Sequence, residues 1–174
     1  VAGVSTYEVN VETDEVRWID SHTMVDQDPA AGTQLLQFDS GRMNSPTASS
    51  VTGLYNANGY ISRRFVDAEG NPMFVINVDK DRKISSVSKF KFDPQTQTIL
   101  WVDDYRVKDQ DITTDGIQPP EFIPRSMTDP DLLTWAYEPV VATRTFLHPH
   151  TQNPVLRLSM DKGGFISAVS GLMA

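Results

Sequence analysis

The 174-residue chain contains no cysteine, and this absence removes several classes of site at once. Disulfide bonds, thiolate metal ligands and cysteine nucleophiles are excluded, because each of them needs a thiol sulfur. Cysteine-free chains occur in both reducing and oxidising compartments, so an organelle, the secretory route and a virion all stay open. The chain begins at Val1 without an initiator methionine, and we therefore expect a processed or longer precursor.

Basic residues and long apolar runs are also scarce. Lys and Arg number 15 against 23 Asp and Glu, which gives a net charge of −8. No basic cluster is longer than Arg63-Arg64, so we expect no nucleic-acid partner, because binding a phosphate backbone needs a positive surface. The longest apolar runs, such as residues 73–76, are far shorter than the roughly 20 residues that span a bilayer, so we expect no membrane span.

A strong β-strand pattern is present over residues 60–107. Runs rich in β-branched and aromatic residues alternate there with turns rich in Asp, Asn, Gly and Pro. The four runs are residues 60–66, 73–78, 84–92 and 99–107. The pattern predicts a four-stranded antiparallel meander, in which each strand pairs with the next one in sequence.

Much of this pattern is present twice, at offsets of 82 and 83 positions. Two alignments carry the match, each with eight identities: residues 4–28 with 87–111, and residues 71–88 with 153–170. A period of this length is too long for an ordinary solenoid repeat. We therefore predict an internal duplication in one compact pseudo-twofold unit over residues 1–174, with repeats at about 4–86 and 87–170.

The phase of the repeat suggests how the sheet is completed. The second repeat has strand-like runs in residues 140–172, while the hairpin that would finish its four-stranded set resembles residues 4–24. We expect residues 4–24 to complete the sheet of residues 140–172 and to lie beside residues 155–172. The result would be two four-stranded units or one closed eight-stranded sheet. A fragment of a longer array is the alternative.

The predicted fold class is therefore mainly β, with antiparallel meander sheets and short helices in the connecting segments. Two connections contain a capping residue directly before proline, at Ser45-Pro46 and Asp129-Pro130. Because proline suits the first position of a helix, this pattern predicts short helices near residues 46–52 and 130–137.

A duplicated Asp-Gln-Asp sequence is the best polar candidate for a metal site. Carboxylates two positions apart suit a hard cation such as calcium, but acceptance of backbone N–H groups at strand ends explains them as well. The weak metal candidates are Asp26, Asp28, Asp109 and Asp111. His148 and His150 have no third ligand nearby in sequence and are interpreted as part of a hairpin turn. No metal is favoured, and no cofactor is expected.

Aromatic residues in the middle of strands are candidates for either a core or a ligand pocket. The pocket candidates are Trp18, Trp101, Phe90, Phe92 and Phe146. Asp20 and Asp103 each follow a tryptophan by two positions and share its strand face. An unpaired carboxylate is costly in an apolar core, so we expect each to reach solvent or a basic partner. The candidate partners are Arg63, Arg64 and Arg144.

The duplicated residues belong mainly to strand faces and turns, and few of them are acids, bases or nucleophiles. We therefore expect a non-catalytic structural or protein-interaction subunit of a larger assembly, which docks through the segment 117–137. The partner-binding candidates there are Pro119, Pro120, Phe122, Pro124, Trp135 and Tyr137. A small-molecule carrier built as a β-barrel is the alternative, and a metal-dependent enzyme is the third hypothesis.

Overall fold

The computed structural model describes residues 3–24, 45, 47, 52–108, 111–113, 116–118 and 120–171, with only the backbone of residues 111–113 and 116–118. These residues form eleven strands. They are β1 (Val4–Asn10), β2 (Glu15–Met24), β3 (Tyr55–Val66), β4 (Pro72–Val78), β5 (Ile84–Asp93), β6 (Thr98–Val107), β7 (Asp111–Thr113), β8 (Gly116–Gln118), β9 (Tyr137–Leu147), β10 (Pro154–Met160) and β11 (Ile166–Gly171).

Nine of these strands form one antiparallel sheet in the order β1-β2-β3-β4-β5-β6-β9-β10-β11, and β7 pairs with β8 in a separate hairpin. The predicted meander of residues 60–107 is confirmed, since β3 to β6 pair in sequence order. The mainly β fold class is also confirmed. Strand pairing follows sequence order along the whole sheet, and β6 pairs with β9 after the intervening β7–β8 hairpin.

Aspartate side chains fix several of the hairpin turns. In the β4–β5 turn, Asp79 Oδ1 accepts hydrogen bonds from the backbone N–H groups of Asp81 and Lys83, both at 2.9 Å. In the β10–β11 turn, Asp161 Oδ1 accepts the corresponding bonds from Gly163 and Phe165, again at 2.9 Å. The short side chain thus satisfies two backbone donors that the tight turn leaves unpaired.

One face of the sheet, here called the inner face, carries the hydrophobic core. Residues 120–136, which connect β8 to β9 in the chain and are here called the covering segment, cross this face. The core side chains from the sheet are Trp18, Phe65, Phe74, Ile76, Val78, Ile84, Val87 and Tyr137, and those from the covering segment are Phe122, Met127, Leu133 and Ala136. The core therefore lies between β2–β5 and the covering segment.

The short helix predicted near residues 130–137 is reduced to one 3-10 turn, Pro130–Leu132. Asp129 does cap this turn, and Pro130 occupies its first position. The chain leaves the turn early because the carbonyl of Ala136 accepts a hydrogen bond from the N–H of Lys108, which draws the chain into β9. The helix predicted near residues 46–52 falls almost wholly outside the described residues.

The prediction of a closed sheet is wrong, because the sheet is open. Residues 4–24 form β1 and β2, and β2 pairs with β3 instead of with a strand of residues 140–172. Because β2 pairs with the next strand in sequence, its backbone N–H and C=O groups are hydrogen-bonded without a partner strand from the C-terminal part of the chain. β1 and β11 therefore form the two opposite edges of the sheet. Two separate four-stranded units are also excluded, since β5 continues directly from β4.

Replacing Asp79 with Ala tests the turn chemistry. Asp79→Ala removes the acceptor of two backbone N–H groups, so we expect the free energy of unfolding to fall by about 1–2 kcal/mol in urea titrations. Asp81→Ala, two positions further along the same turn, is the matched control and should change stability by less than about 0.5 kcal/mol. Equal losses for the two variants would show that the Asp79 bonds do not stabilise the turn.

Candidate functional site

The inner face extends across all nine strands, but the covering segment covers only part of it. Residues directly opposite each other in an antiparallel pair share a face. The strand register therefore continues the inner face beyond β5. Its side chains on the last strands are here called the open face: Trp101, Arg144, Phe146, Leu156, Leu158, Met160, Ile166 and Val169. None of these belongs to the buried core, and Ile166 and Val169 are each 61% exposed.

The part of the inner face that lies under the covering segment, on β2–β5, is here called the covered half. It is organised around a buried ion pair between β2 and β3. Arg63 Nε donates to Asp20 Oδ1 and Arg63 Nη2 donates to Asp20 Oδ2, both at 2.7 Å. The guanidinium carbon lies 4.5 Å from the centroid of the Trp18 ring, and the rings of Trp18 and Phe65 are 6.0 Å apart. Tryptophan faces attract cations, so the ring supports the buried charge from one side.

Arg63 also holds the covering segment on the sheet. Its Nη1 donates to the backbone carbonyls of Pro124 and Met127, each at 2.8 Å. The Arg63 side chain is only 3% exposed, so its positive charge is neutralised by Asp20 and solvated by these two carbonyls in place of water. One arginine therefore links the buried carboxylate of the sheet to the backbone of the covering segment.

The open face contains the same cluster between β6 and β9. Arg144 Nε and Nη2 donate to the two carboxylate oxygens of Asp103, at 2.6 and 2.7 Å. The guanidinium carbon lies 4.6 Å from the Trp101 ring centroid, and the Trp101 and Phe146 rings are 6.2 Å apart. The hydrogen bonds to Asp103 raise the pKa of Arg144, because they favour its charged form.

The two clusters differ in what lies over them. The Arg144 side chain is 34% exposed, against 3% for Arg63. Among the described residues, no acceptor lies within hydrogen-bond distance of Arg144 Nη1, the atom that corresponds to the one that binds the covering segment at Arg63. The open face thus has the same sheet-side chemistry as the covered half, without the segment on top.

Lys89 lies at the border between the two halves. Its ammonium is 5.0 Å from the centroid of the Tyr137 ring and 5.3 Å from that of Tyr105. Burial disfavours the ammonium, but its contacts with Tyr137 and Tyr105 outweigh that cost and raise the pKa of Lys89. The covered core therefore ends at a cation held between two tyrosines.

The five predicted pocket residues do not converge. Trp18 is buried in the core of the covered half, whereas Trp101 and Phe146 contact each other on the open face. Phe90 and Phe92 pair with Val102 and Ile99 on the opposite, outer face. A groove of about 270 Å³ beside Pro130 and a second of about 170 Å³ near Tyr137 contain none of the five.

The predicted partner-binding residues are mostly used within the chain. Phe122 and Tyr137 are buried in the core, and Pro120 is buried where its carbonyl accepts a hydrogen bond from Ile84. Pro124 is half-buried and accepts from Arg63, while Trp135 is 39% exposed. Pro119 lies outside the described residues. The segment that we expected to dock on another protein docks on this chain's own sheet.

The predicted metal candidates fall at the limits of the described structure. Asp26, Asp28 and Asp109 lie outside the described residues, and only the backbone of Asp111 is described. Among the described residues, no group of three His, Asp or Glu side chains is placed to hold a metal ion.

The sequence prediction missed the open face, although a signal for it was present. The sequence alignment at an offset of 82 places Leu156, Leu158 and Val169 opposite the core residues Phe74, Ile76 and Val87. With a one-residue shift in the intervening turn, it also aligns Arg144 with Arg63, whereas Arg64 aligns with Thr145. The alignment therefore favours Arg144 and Arg63 as the partners of Asp103 and Asp20. Reading the alignment as a map of faces would have found both clusters.

No protein-family model matches the chain, and no curated protein matches its sequence. In the part of the chain that the structure describes, no helix is long and apolar enough to cross a membrane. The interpretation of the open face therefore depends on its own geometry and chemistry.

Removing each aspartate in turn should separate the two clusters. Asp20→Ala leaves the buried Arg63 charge without its partner, so we expect the free energy of unfolding to fall by about 3–5 kcal/mol. Asp103 is also buried, but the Arg144 side chain is 34% exposed and keeps its contact with solvent, so Asp103→Ala should cost less, about 1–2 kcal/mol. Urea and thermal unfolding measure both losses. Losses of similar size would show that the covering segment does not bury the first cluster.

His22 should make the stability of the protein depend on pH. Its side chain is buried, lies 2.9 Å from the Thr6 hydroxyl through Nε2, and contacts the rings of Tyr55 and Tyr60. Burial lowers the pKa of His22, while the negative charge of Asp20 opposes that effect. The unfolded chain therefore takes up a proton more readily than the folded chain as the pH falls.

We expect His22 to lower the free energy of unfolding as the pH falls below about 6.5, the ordinary pKa of histidine, and to have no effect above it. The difference in unfolding free energy between the wild type and His22→Gln, measured at pH 7.5 and 5.0, isolates this contribution from the carboxylates. His150→Gln, in an exposed turn, is the matched control and should follow the wild type. A His22→Gln variant with the wild-type pH dependence would contradict the assignment.

Proposed function

We propose that the chain is a non-catalytic structural and protein-interaction subunit of a larger assembly, and that a partner protein covers its open face. One observation carries this proposal: the open face has the same Trp, Asp, Arg and Phe cluster, beside apolar side chains, as a surface that the same chain buries under its covering segment. Within this molecule, a sheet face with an Asp–Arg pair, a tryptophan and aliphatic side chains packs against a polypeptide segment, which supports the proposal.

The exposure of β11 supports the same proposal. All six of its residues are exposed, including Ile166 and Val169 on the open face. Exposed apolar patches on folded proteins are typical of sites that bind another protein. Burial contributes about 25 cal/mol per Å² of apolar surface, so covering several aliphatic side chains would stabilise a complex substantially.

The polar residues of the two clusters support a structural role. Asp20, Asp103, Arg63 and Arg144 form ion pairs across neighbouring strands. Each carboxylate accepts two hydrogen bonds from its arginine, through both of its oxygens. The duplicated charges thus position strands and a covering segment.

The carrier hypothesis is less well supported. A barrel carrier needs a closed sheet around a cavity, and this sheet is open. Its candidate pocket residues are divided between the two faces of the sheet. An open apolar face suits a protein surface better than it suits a small ligand, which is usually enclosed in a pocket.

We also propose that the sheet arose by internal duplication. β1 to β4 correspond to β5, β6, β9 and β10 in the sequence alignment, and β11 corresponds to a third copy of β1. The Arg63 and Arg144 clusters agree in register, in the two arginine–aspartate hydrogen bonds and in ring contacts. This correspondence supports an array-like scaffold, in which the same docking chemistry is presented more than once.

Charged substitutions on β11 test the proposed function. Ile166→Lys with Val169→Lys places two charges on the open face at exposed positions, so the fold should be retained. We expect the wild-type protein, isolated under native conditions, to carry a stoichiometric partner and the double variant to lose it. Ala168→Lys with Ser170→Lys, on the outer face of the same strand, is the matched control and should keep the partner.

Size-exclusion chromatography with light scattering measures the mass of each complex, and far-UV circular dichroism checks the fold. The proposal fails if the wild type is monodisperse at its own mass with no companion protein. It also fails if the companion stays with the Ile166/Val169 variant.

A further inference from the structure

We infer that the open face binds an irregular, extended polypeptide segment of a partner protein, whose backbone carbonyls accept hydrogen bonds from Arg144 and whose Phe, Met or Leu side chains pack on β10 and β11. This inference rests on the proposed function and specifies the chemistry of the partner. The covering segment is the model for this partner segment, because its carbonyls bind Arg63 and its apolar side chains pack on the covered half.

The geometry of Arg144 fixes where the carbonyls must lie. Asp103 occupies Nε and Nη2 of Arg144 in the same way that Asp20 occupies those atoms of Arg63. A planar guanidinium held at two nitrogens has one direction left for its third. In Arg63 that third nitrogen binds Pro124 and Met127, so Arg144 Nη1 presents the same donors to a segment on the open face.

The apolar floor beside each arginine is also the same. Arg63 lies opposite Ile76, and Ile76 lies opposite Val87. Arg144 lies opposite Leu158, and Leu158 lies opposite Val169, in the same three-strand order. Phe122 and Met127 of the covering segment belong to the core cluster built on Ile76 and Val87. Side chains of that type would therefore fit over Leu158 and Val169.

A third contact completes the template. The covering segment is attached to the β4–β5 hairpin by two backbone hydrogen bonds of 2.8 Å, from Ile84 N–H to the Pro120 carbonyl and from Phe122 N–H to the Arg82 carbonyl. The positions aligned with Arg82 and Ile84 are Gly164 and Ile166 in the β10–β11 hairpin. Ile166 is exposed, so this hairpin is accessible to an incoming backbone.

The same features argue against other ligands. Asp103 neutralises Arg144, so the arginine itself offers no net positive charge to a phosphate or an anionic lipid headgroup. Its Nη1 donor suits a neutral carbonyl, and the open face gives no enclosure for a small molecule. A polypeptide backbone supplies carbonyls and apolar side chains together.

A synthetic peptide with the sequence of residues 118–137, acetylated and amidated, tests this inference on the intact chain. We expect saturable one-to-one binding by isothermal titration calorimetry. Arg144→Gln should weaken it by about tenfold or more, because charge-assisted hydrogen bonds to two carbonyls are lost. Val169→Lys should weaken it similarly without touching the Asp103 ion pair. Arg157→Gln, on the outer face of β10, is the matched control and should bind like the wild type.

A peptide of the same composition in scrambled order should not bind. The inference is wrong if the native peptide fails to saturate, or if Arg144→Gln and Val169→Lys bind it as tightly as the wild type, as they would if the peptide exchanged with the covering segment. If the partner is lost from the Ile166/Val169 variant but Arg144→Gln affects neither peptide nor partner, the proposed function stands and this mode of binding fails. Absence of any partner overturns the proposed function itself.

Discussion

The buried pair of Arg63 and Asp20 is the interaction on which the rest of this structure depends. It joins β2 to β3, holds Trp18 against a cation, and attaches the covering segment through two backbone carbonyls. A buried charge pair stabilises a fold only when its remaining donors are also satisfied, since desolvation is costly. Here the remaining donor of Arg63 is satisfied by the segment, so the burial of the ion pair depends on the segment that also covers the core.

Much of the fold was predictable, because strand and turn signals are local. The meander over residues 60–107 follows from β-branched runs between Asp-, Gly- and Pro-rich turns. Closure of the sheet was wrongly predicted, because the pairing of β2 with β3 across the connection after Met24 has no local signal. The covering segment was recognised as unusual, with its Pro and aromatic residues. Whether it packs on its own sheet or on another protein is decided by tertiary contacts that composition does not encode.

The candidate site was only partly predictable for a related reason. The alignment identified Trp18 and Trp101 as equivalent, and their neighbours Asp20 and Asp103 as charges in need of partners. It does not show that the covering segment lies over one cluster and leaves the other partly exposed. That difference depends on where the covering segment lies. Equivalent residues form a core where the segment crosses them, and a surface where it does not. Equivalent sequence therefore gives two different environments.

The position of the covering segment has a consequence for synthesis. β1 to β5 are complete at Asp93, but the residues that bury their inner face, from Phe122 to Tyr137, emerge later from the ribosome. During translation, the apolar face of the covered half thus stays unburied until a downstream part of the same chain has been made. If a partner protein covers the open face, that face stays unburied until the partner binds. Assembly with the partner would then be the last step of folding. In a cell that makes this protein without its partner, the apolar open face would stay exposed to solvent, and chaperones and proteases recognise such surfaces.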